Sequence, residues 1–210
     1  MSRCVILSAG PVKNADELRP YLRGDDWFIA ADGGLRLAKA LGVRPAVLIA
    51  DFDSLPADTA ENAADEVVRL PVEKDWTDTM AAAMLGLERG YTDFLLLGCT
   101  GGRLDHTMAN IAVLLYLLRH GAEACLLDGQ NSLRLYFPGN YRFPVEREYR
   151  FSLFPYGGEI QGITLKNAKY PLLDATLTPD NPLGVSNEFT DFPLEITFRK
   201  GILMFFLSKD

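Results

Sequence analysis

The stretch AVLIADFDS, residues 46–54, is five apolar residues running into two carboxylates set one residue apart. The run has strand length, is rich in branched side chains and does not alternate, which suits a strand covered on both faces in a parallel sheet. In an extended segment residues i and i+2 point the same way, about 6.5–7 Å apart. Asp51 and Asp53 therefore project together from the carboxyl end of a strand, where open α/β sheets bind their ligands.

Working outward, CVILSAG (4–10), WFIAAD (27–32), EVVRLP (66–71), DFLLLGC (93–99) and EACLLDG (123–129) repeat the same kind of run. Helical periodicity lies between them. LRLAKALG (35–42) ends at Gly42, a C-terminal cap. TDTMAAAMLGLERG (77–90) places Met80, Met84 and Leu87 on one face and stops at Gly90. LDHTMANIAVLLYLLRHG (104–121) aligns Leu104, Met108, Ile111 and Leu115 and stops at Gly121. An acidic helix is expected after the first strand. Six strands with intervening helices predict a doubly wound, mainly parallel α/β domain over residues 1–129.

After Gly129 the texture changes. SLRLYF, EYRFSLF, EIQGITL, LEITFR and ILMFFLS read as strands separated by PGN, PYGG, NAKYP and TPDNPLG, with Lys200-Gly201 as a hairpin turn between the last two. Residues 130–210 are expected to form a small all-β sandwich. That is little chain for a self-sufficient core, and ILMFFLS is too apolar for an open edge, so this half should pack on another surface.

Composition narrows the function. The 210 residues carry a net charge of −7 and 48% hydrophobic residues. No basic stripe offers itself to nucleic acid, and no apolar run is long enough to span a membrane. Residues 1–10 are too short in their apolar part for a signal peptide. Cys4, Cys99 and Cys125 are scattered in apolar runs, as buried thiols of a reducing, cytoplasmic compartment would be. The two histidines exclude a multi-histidine metal site.

Acids recur where strands end and helices begin: Asp32, Asp51, Asp53, Asp75, Asp78, Asp105 and, more weakly, Asp58. Gathered together they repel unless a cation sits among them, and magnesium takes one or two carboxylates plus phosphate oxygens and water. A magnesium–nucleotide site is the simplest chemistry. Asp32-Gly33-Gly34 lets a ligand approach backbone amides at a helix start. No GxGxxG and no GxxxxGK[ST] occurs, which argues against a dinucleotide fingerprint and a P-loop. In KDWTD (74–78), Lys74 suits a phosphate, while Asp75, Thr77 and Asp78 also suit ordinary capping. In GGRLDH (101–106), Gly101 and Gly102 bring backbone close to a ligand, Arg103 can fork onto phosphate, and Asp105 can orient it or accept a proton. An Arg–Asp surface pair is the plainer reading of those two, and a polar turn the plainer reading of Ser186-Asn187-Glu188.

Taken in order, D-G-G at 32–34, D-F-D-S at 51–54, K-D-x-T-D at 74–78, G-G-R-x-D-H at 101–106 and S-N-E at 186–188 resemble the bacterial thiamin pyrophosphokinases (thiamine diphosphokinases). The similarity spans nearly the whole chain, including the change to an all-β second half. It implies magnesium-dependent transfer of a pyrophosphoryl group from ATP to thiamin, giving thiamin diphosphate and AMP. It implies magnesium on Asp51, Asp53 and Asp78, and a nucleotide and catalytic loop with Arg103 and Asp105. Nucleotide contacts are implied for Asp32, Gly33, Gly34, Lys74, Asp75, Thr77, Gly101 and Gly102. Thiamin contacts are implied for Asp32, Asp105, Ser186 and Asn187. It also implies a homodimer whose shared cleft takes thiamin between the α/β half of one subunit and the β half of the other. Two departures stand out: Ala50 replaces a frequent glycine, and the β half has no tryptophan to stack on thiamin, leaving Phe189, Phe192, Phe198, Phe205 and Phe206. The alternatives are a diphosphokinase of another heterocyclic alcohol such as a pterin, a DxD glycosyltransferase, and a non-catalytic thiamin- or nucleotide-binding regulator.

Overall fold

The computed structural model describes residues 2–50, 63–71 and 75–209. The chain divides into two compact units, Met1–Gly129 and Gln130–Asp210.

The first unit is built on strands β1 (Cys4–Leu7), β2 (Trp27–Ala31), β3 (Val47–Ala50), β4 (Glu66–Arg69), β5 (Asp93–Leu97) and β6 (Glu123–Leu127). Their order is β4-β3-β2-β1-β5-β6, and each neighbouring pair is parallel. All four residues of β1 are fully buried, as its central place requires. The helices among the described residues are α1 (Gly34–Leu41), α2 (Asp78–Glu88) and α3 (Leu104–Arg119). Gly42, Gly90 and Gly121 follow them in left-handed conformation, the geometry that glycine caps supply. Among the described residues no helix is long and apolar enough to cross a membrane.

Three local expectations fail here for physical reasons. The acidic helix after β1 is two short 3-10 turns, Ala15–Glu17 and Arg19–Tyr21; Pro20 lacks the N–H that a longer helix would need. Helix α2 buries Thr79, Ala82, Ala83 and Gly86, leaving Met80, Met84 and Leu87 half-buried. A methyl group on Gly86 would lie 2.5 Å from the Phe94 ring, so the small-residue face meets the sheet. Helix α3 buries Asn110, Val113, Leu114 and Leu117, while Leu104 and Met108 are 82% and 60% exposed. A helix apolar around most of its circumference does not reveal its inner face by spacing alone.

The second unit contains β7 (Asn131–Tyr136), β8 (Gly139–Phe143), β9 (Arg150–Pro155), β10 (Ile160–Lys166), β11 (Leu172–Leu177), β12 (Leu194–Phe198) and β13 (Leu203–Ser208). Antiparallel β7-β13-β9 faces antiparallel β11-β10-β12-β8 across a core of Phe151, Leu153, Ile163, Ile196, Phe198 and Phe205. The sandwich is as expected, with two corrections. Lys200-Gly201 is no hairpin: β12 pairs with β10 and β8, whereas β13 pairs with β7 and β9. The turn carries the chain from one sheet to the other, and Gly201 (φ 99°) fits because a Cβ there would lie 2.3 Å from the Glu159 carbonyl oxygen. The apolar run ILMFFLS is the middle strand of its sheet, so its burial requires no second subunit.

Candidate active site

The chain leaves β1 for β2, β3 and β4 on one side and returns to β5 and β6 on the other, so the topological switch point lies between β1 and β5. Loops after β1, β2 and β5 meet there at backbone distance. The Gly10 amide donates to the Gly98 carbonyl at 2.8 Å, and a Cβ on Gly10 would sit 2.4 Å from that oxygen. Gly34 is tighter still, with 1.9 Å between its hypothetical Cβ and the Leu7 carbonyl oxygen. The glycines at this end serve close packing of the three loops.

Asp32 follows β2 with a left-handed backbone (φ 47°), a conformation that aspartate tolerates better than most residues. Its amide donates to the Ile49 carbonyl at 2.7 Å. Its Oδ1 is buried and has no hydrogen-bond partner among the described residues. A buried, unpartnered carboxylate oxygen is costly unless a ligand satisfies it, and hard oxygen donors suit a magnesium ion or its waters. Gly33 caps α1 and Gly34 begins it.

At the start of α2, the Thr77 hydroxyl accepts the Met80 amide at 3.2 Å, making Thr77 the N-cap. Asp78 is the first helical residue; Asp75 and Trp76 are exposed, Trp76 by 54%. In the loop after β5, Gly101 and Gly102 both have positive φ. Thr100 Oγ1 donates to Asp128 Oδ2 at 2.8 Å, tying this loop to the end of β6. Arg103 grips Asp105 in a two-point pair, Nε to Oδ1 at 3.1 Å and Nη2 to Oδ2 at 2.5 Å, and Asp105 Oδ1 also accepts the His106 amide. The Arg103 guanidinium holds the Asp105 carboxyl down at about 2. A carboxylate so paired is a poor proton acceptor near neutrality.

Asp51, Asp53, Asp58 and Lys74 lie outside the described residues. Among the described residues no group of three or more acids, histidines or cysteines is placed to hold a metal. Among the described acids, Asp32 has the buried carboxylate oxygen that an oxygen-rich cation site would use.

In the second unit Ser186 is exposed with φ 55°, its amide donating to Ser152 Oγ at 3.0 Å. Asn187 is 5% exposed and its amide is engaged by backbone. Oδ1 accepts Tyr170 N and Glu188 N at 3.1 and 2.8 Å, and Nδ2 donates to Tyr170 O at 2.7 Å. Asn187 therefore buttresses the Tyr170 loop, and Ser186 is the member of the pair that presents itself to solvent. Of the phenylalanines open to a stacking role, Phe198 and Phe205 belong to the sandwich core, and Phe206 is half-buried against Phe154. Phe189 packs edge-on to Phe151, and Phe192 is 66% exposed.

A doubly wound unit with acids, glycine turns and an arginine at its switch point, followed by a β-sandwich, has the make-up of a transferase of the kinase type. The chain belongs to the thiamin pyrophosphokinase family. Residues 18–126 match the family model for the thiamin pyrophosphokinase catalytic domain, and residues 140–203 match that for its vitamin B1 binding domain. The thiamine pyrophosphokinase of Bacillus subtilis (strain 168) is 31% identical over 209 residues, covering 98% of each chain. A crystal structure of thiamine pyrophosphokinase from Bacillus subtilis superposes with a TM-score of 0.90 at 30% identity over 100% of both chains. One from Geobacillus thermodenitrificans gives 0.87 at 32% identity, over 100% of this chain and 98% of its own. These likenesses support the diphosphokinase of thiamin over the pterin, glycosyltransferase and regulator readings.

Spacing alone missed Ser8, Thr79 and Asn110, which are buried polar residues at this same end of the sheet. Ser8 had a signal: it is the first polar residue after the run CVIL.

Proposed function

We propose that the chain transfers the pyrophosphoryl group of ATP to the hydroxyethyl oxygen of thiamin, giving thiamin diphosphate and AMP. The observation that carries this reading is the match of both family models, in order, to the two units. In the reaction the thiamin oxygen bonds to the β-phosphorus, the bond from that phosphorus to the α,β-bridging oxygen breaks, and the hydroxyl proton passes to a base. Magnesium, when bound, would neutralise polyphosphate charge, with Asp51, Asp53 and Asp78 as its holders, while Asp32 contacts nucleotide and thiamin. Arg103 supplies a fixed positive fork, and Lys74, Asp75, Thr77, Gly33, Gly34, Gly101 and Gly102 line the nucleotide. Positioning and electrostatics do most of the work in such transfers. Arg103 holds Asp105 as a carboxylate that orients the arginine, and Asp51 and Asp105 are the two candidates for taking the proton. Thiamin is a cation, which the net charge of −7 favours. Ser186 touches thiamin; Asn187 shapes the loop beside it. The enzyme works in the cytoplasm as a homodimer with shared clefts.

Chromatography of the protein with thiamin, magnesium and ATP tests this. Equal amounts of thiamin diphosphate and AMP are expected; thiamin monophosphate with ADP would overturn it.

A further inference from the structure

Three of the four buried polar residues of the first unit among the described residues converge on one place. Ser8 Oγ lies 2.9 Å from Thr79 Oγ1 in a buried hydroxyl pair that joins the end of β1 to the first turn of α2. The Ser8 amide donates to the Leu97 carbonyl at 2.8 Å, and the Cys99 thiol, just past β5, reaches the same oxygen at 3.6 Å. The Cys99 carbonyl in turn accepts Asn110 Nδ2 of α3 at 2.8 Å. All four residues are at most 7% exposed. The fourth buried polar residue, Arg3, is paired separately with Asp26.

We infer that Ser8, Thr79 and Asn110 are positioning residues: their network holds the start of α2, with Asp78, in register with the loop carrying Arg103 and Asp105. A core needs no such polar chain, since apolar packing of the same shape is as stable or more so. The place is informative too. Thr79 adjoins Asp78, Cys99 precedes Arg103 in the same loop, and Asn110 lies in the helix whose first turn holds Asp105. The links cross four elements, β1, β5, α2 and α3, at the switch point, where a small slip of α2 against the β5–α3 loop would separate the acid from the arginine. Partners that orient ligand-bearing residues in this way typically change metal affinity or activity about 10–100-fold when removed. The inference rests on the reading that Asp78 faces the metal and Arg103 the polyphosphate.

The test uses Thr79→Val, Thr79→Ser and the double variant Ser8→Ala/Thr79→Val. Two quantities are read: the magnesium concentration for half-maximal turnover, and the magnesium-dependent rise in melting temperature given by a non-hydrolysable ATP analogue. Thr79→Val should raise the magnesium requirement about tenfold or more and shrink the analogue's melting shift, and Thr79→Ser should restore both. The double variant orphans no buried hydroxyl, so its ligand-free melting temperature should recover while the magnesium requirement stays raised. A requirement that recovers together with stability would reduce the network to packing and overturn the inference. Absence of thiamin diphosphate from the wild-type reaction would sink the proposed function by itself. Positioning would then be judged on the analogue's melting shift, and equal shifts in wild type and Thr79→Val would overturn it.

Discussion

Asn187→Ala separates support of a binding loop from contact with substrate. The substitution removes three hydrogen bonds to backbone, from Tyr170 N and Glu188 N and to Tyr170 O, in a side chain 5% exposed. Each backbone group left unpaired costs about 1–3 kcal/mol when buried. Tyr170 itself is 58% exposed, so water reaches this loop and the lower end of that range applies, about 3 kcal/mol in all. The second unit, residues 130–210, is of a size for which each kcal/mol moves the melting temperature by about 4–8 °C. Calorimetry of the full chain should therefore show the transition of this unit about 10–25 °C lower. Asn187→Asp keeps both acceptor bonds and loses the donor, and should fall between alanine and wild type. An unchanged melting temperature combined with lost turnover would refute the reasoning, because the amide would then be engaged with thiamin rather than with Tyr170.

Asp53→Asn and Asp78→Asn should each abolish turnover; near-normal turnover at saturating magnesium would disprove a metal role for that residue. Asp105 titrates at about 2 under its pairing with Arg103. Its folded value is depressed, so the pair's contribution is present above the ordinary aspartate value near 3.9 and lost as pH falls through about 2. Both side chains are exposed, which keeps the stability effect small, so carboxyl-carbon NMR is the assay. In Arg103→Gln the Asp105 midpoint should return to the ordinary range, and a midpoint still near 2 would contradict the pairing. Mixing the Asp53→Asn and Ser186→Ala proteins should regenerate activity on subunit exchange if clefts are shared; full activity from a strict monomer in light scattering would rule that out.

Much of this was legible in the residues. Runs such as CVIL and VLIA declare buried parallel strands because both faces are covered, and Gly42, Gly90 and Gly121 mark helix ends by the left-handed backbone they permit. Strands β8 and β11 were not legible. Both are edges of their sheet; β8 sits in PGNYRFP between two prolines, and β11 is broken by Asp174 in left-handed conformation with Leu173 86% exposed. The Lys200-Gly201 turn has hairpin chemistry, and the sheet change it makes is set by the partners of β12 and β13, far away in sequence. At the site, motif acids could be read from position at strand and helix ends. The polar network could not, because Ser8 meets a partner 71 residues away and no local period encodes that meeting. Asn187 was legible as important, yet its bonds to the Tyr170 loop belong to the fold.

The central claim is the bond that breaks. ATP labelled at the β-phosphorus, incubated with thiamin, magnesium and the protein, should deliver its label to thiamin diphosphate and leave AMP unlabelled. Label retained in ADP would show cleavage at the terminal phosphorus and contradict the account.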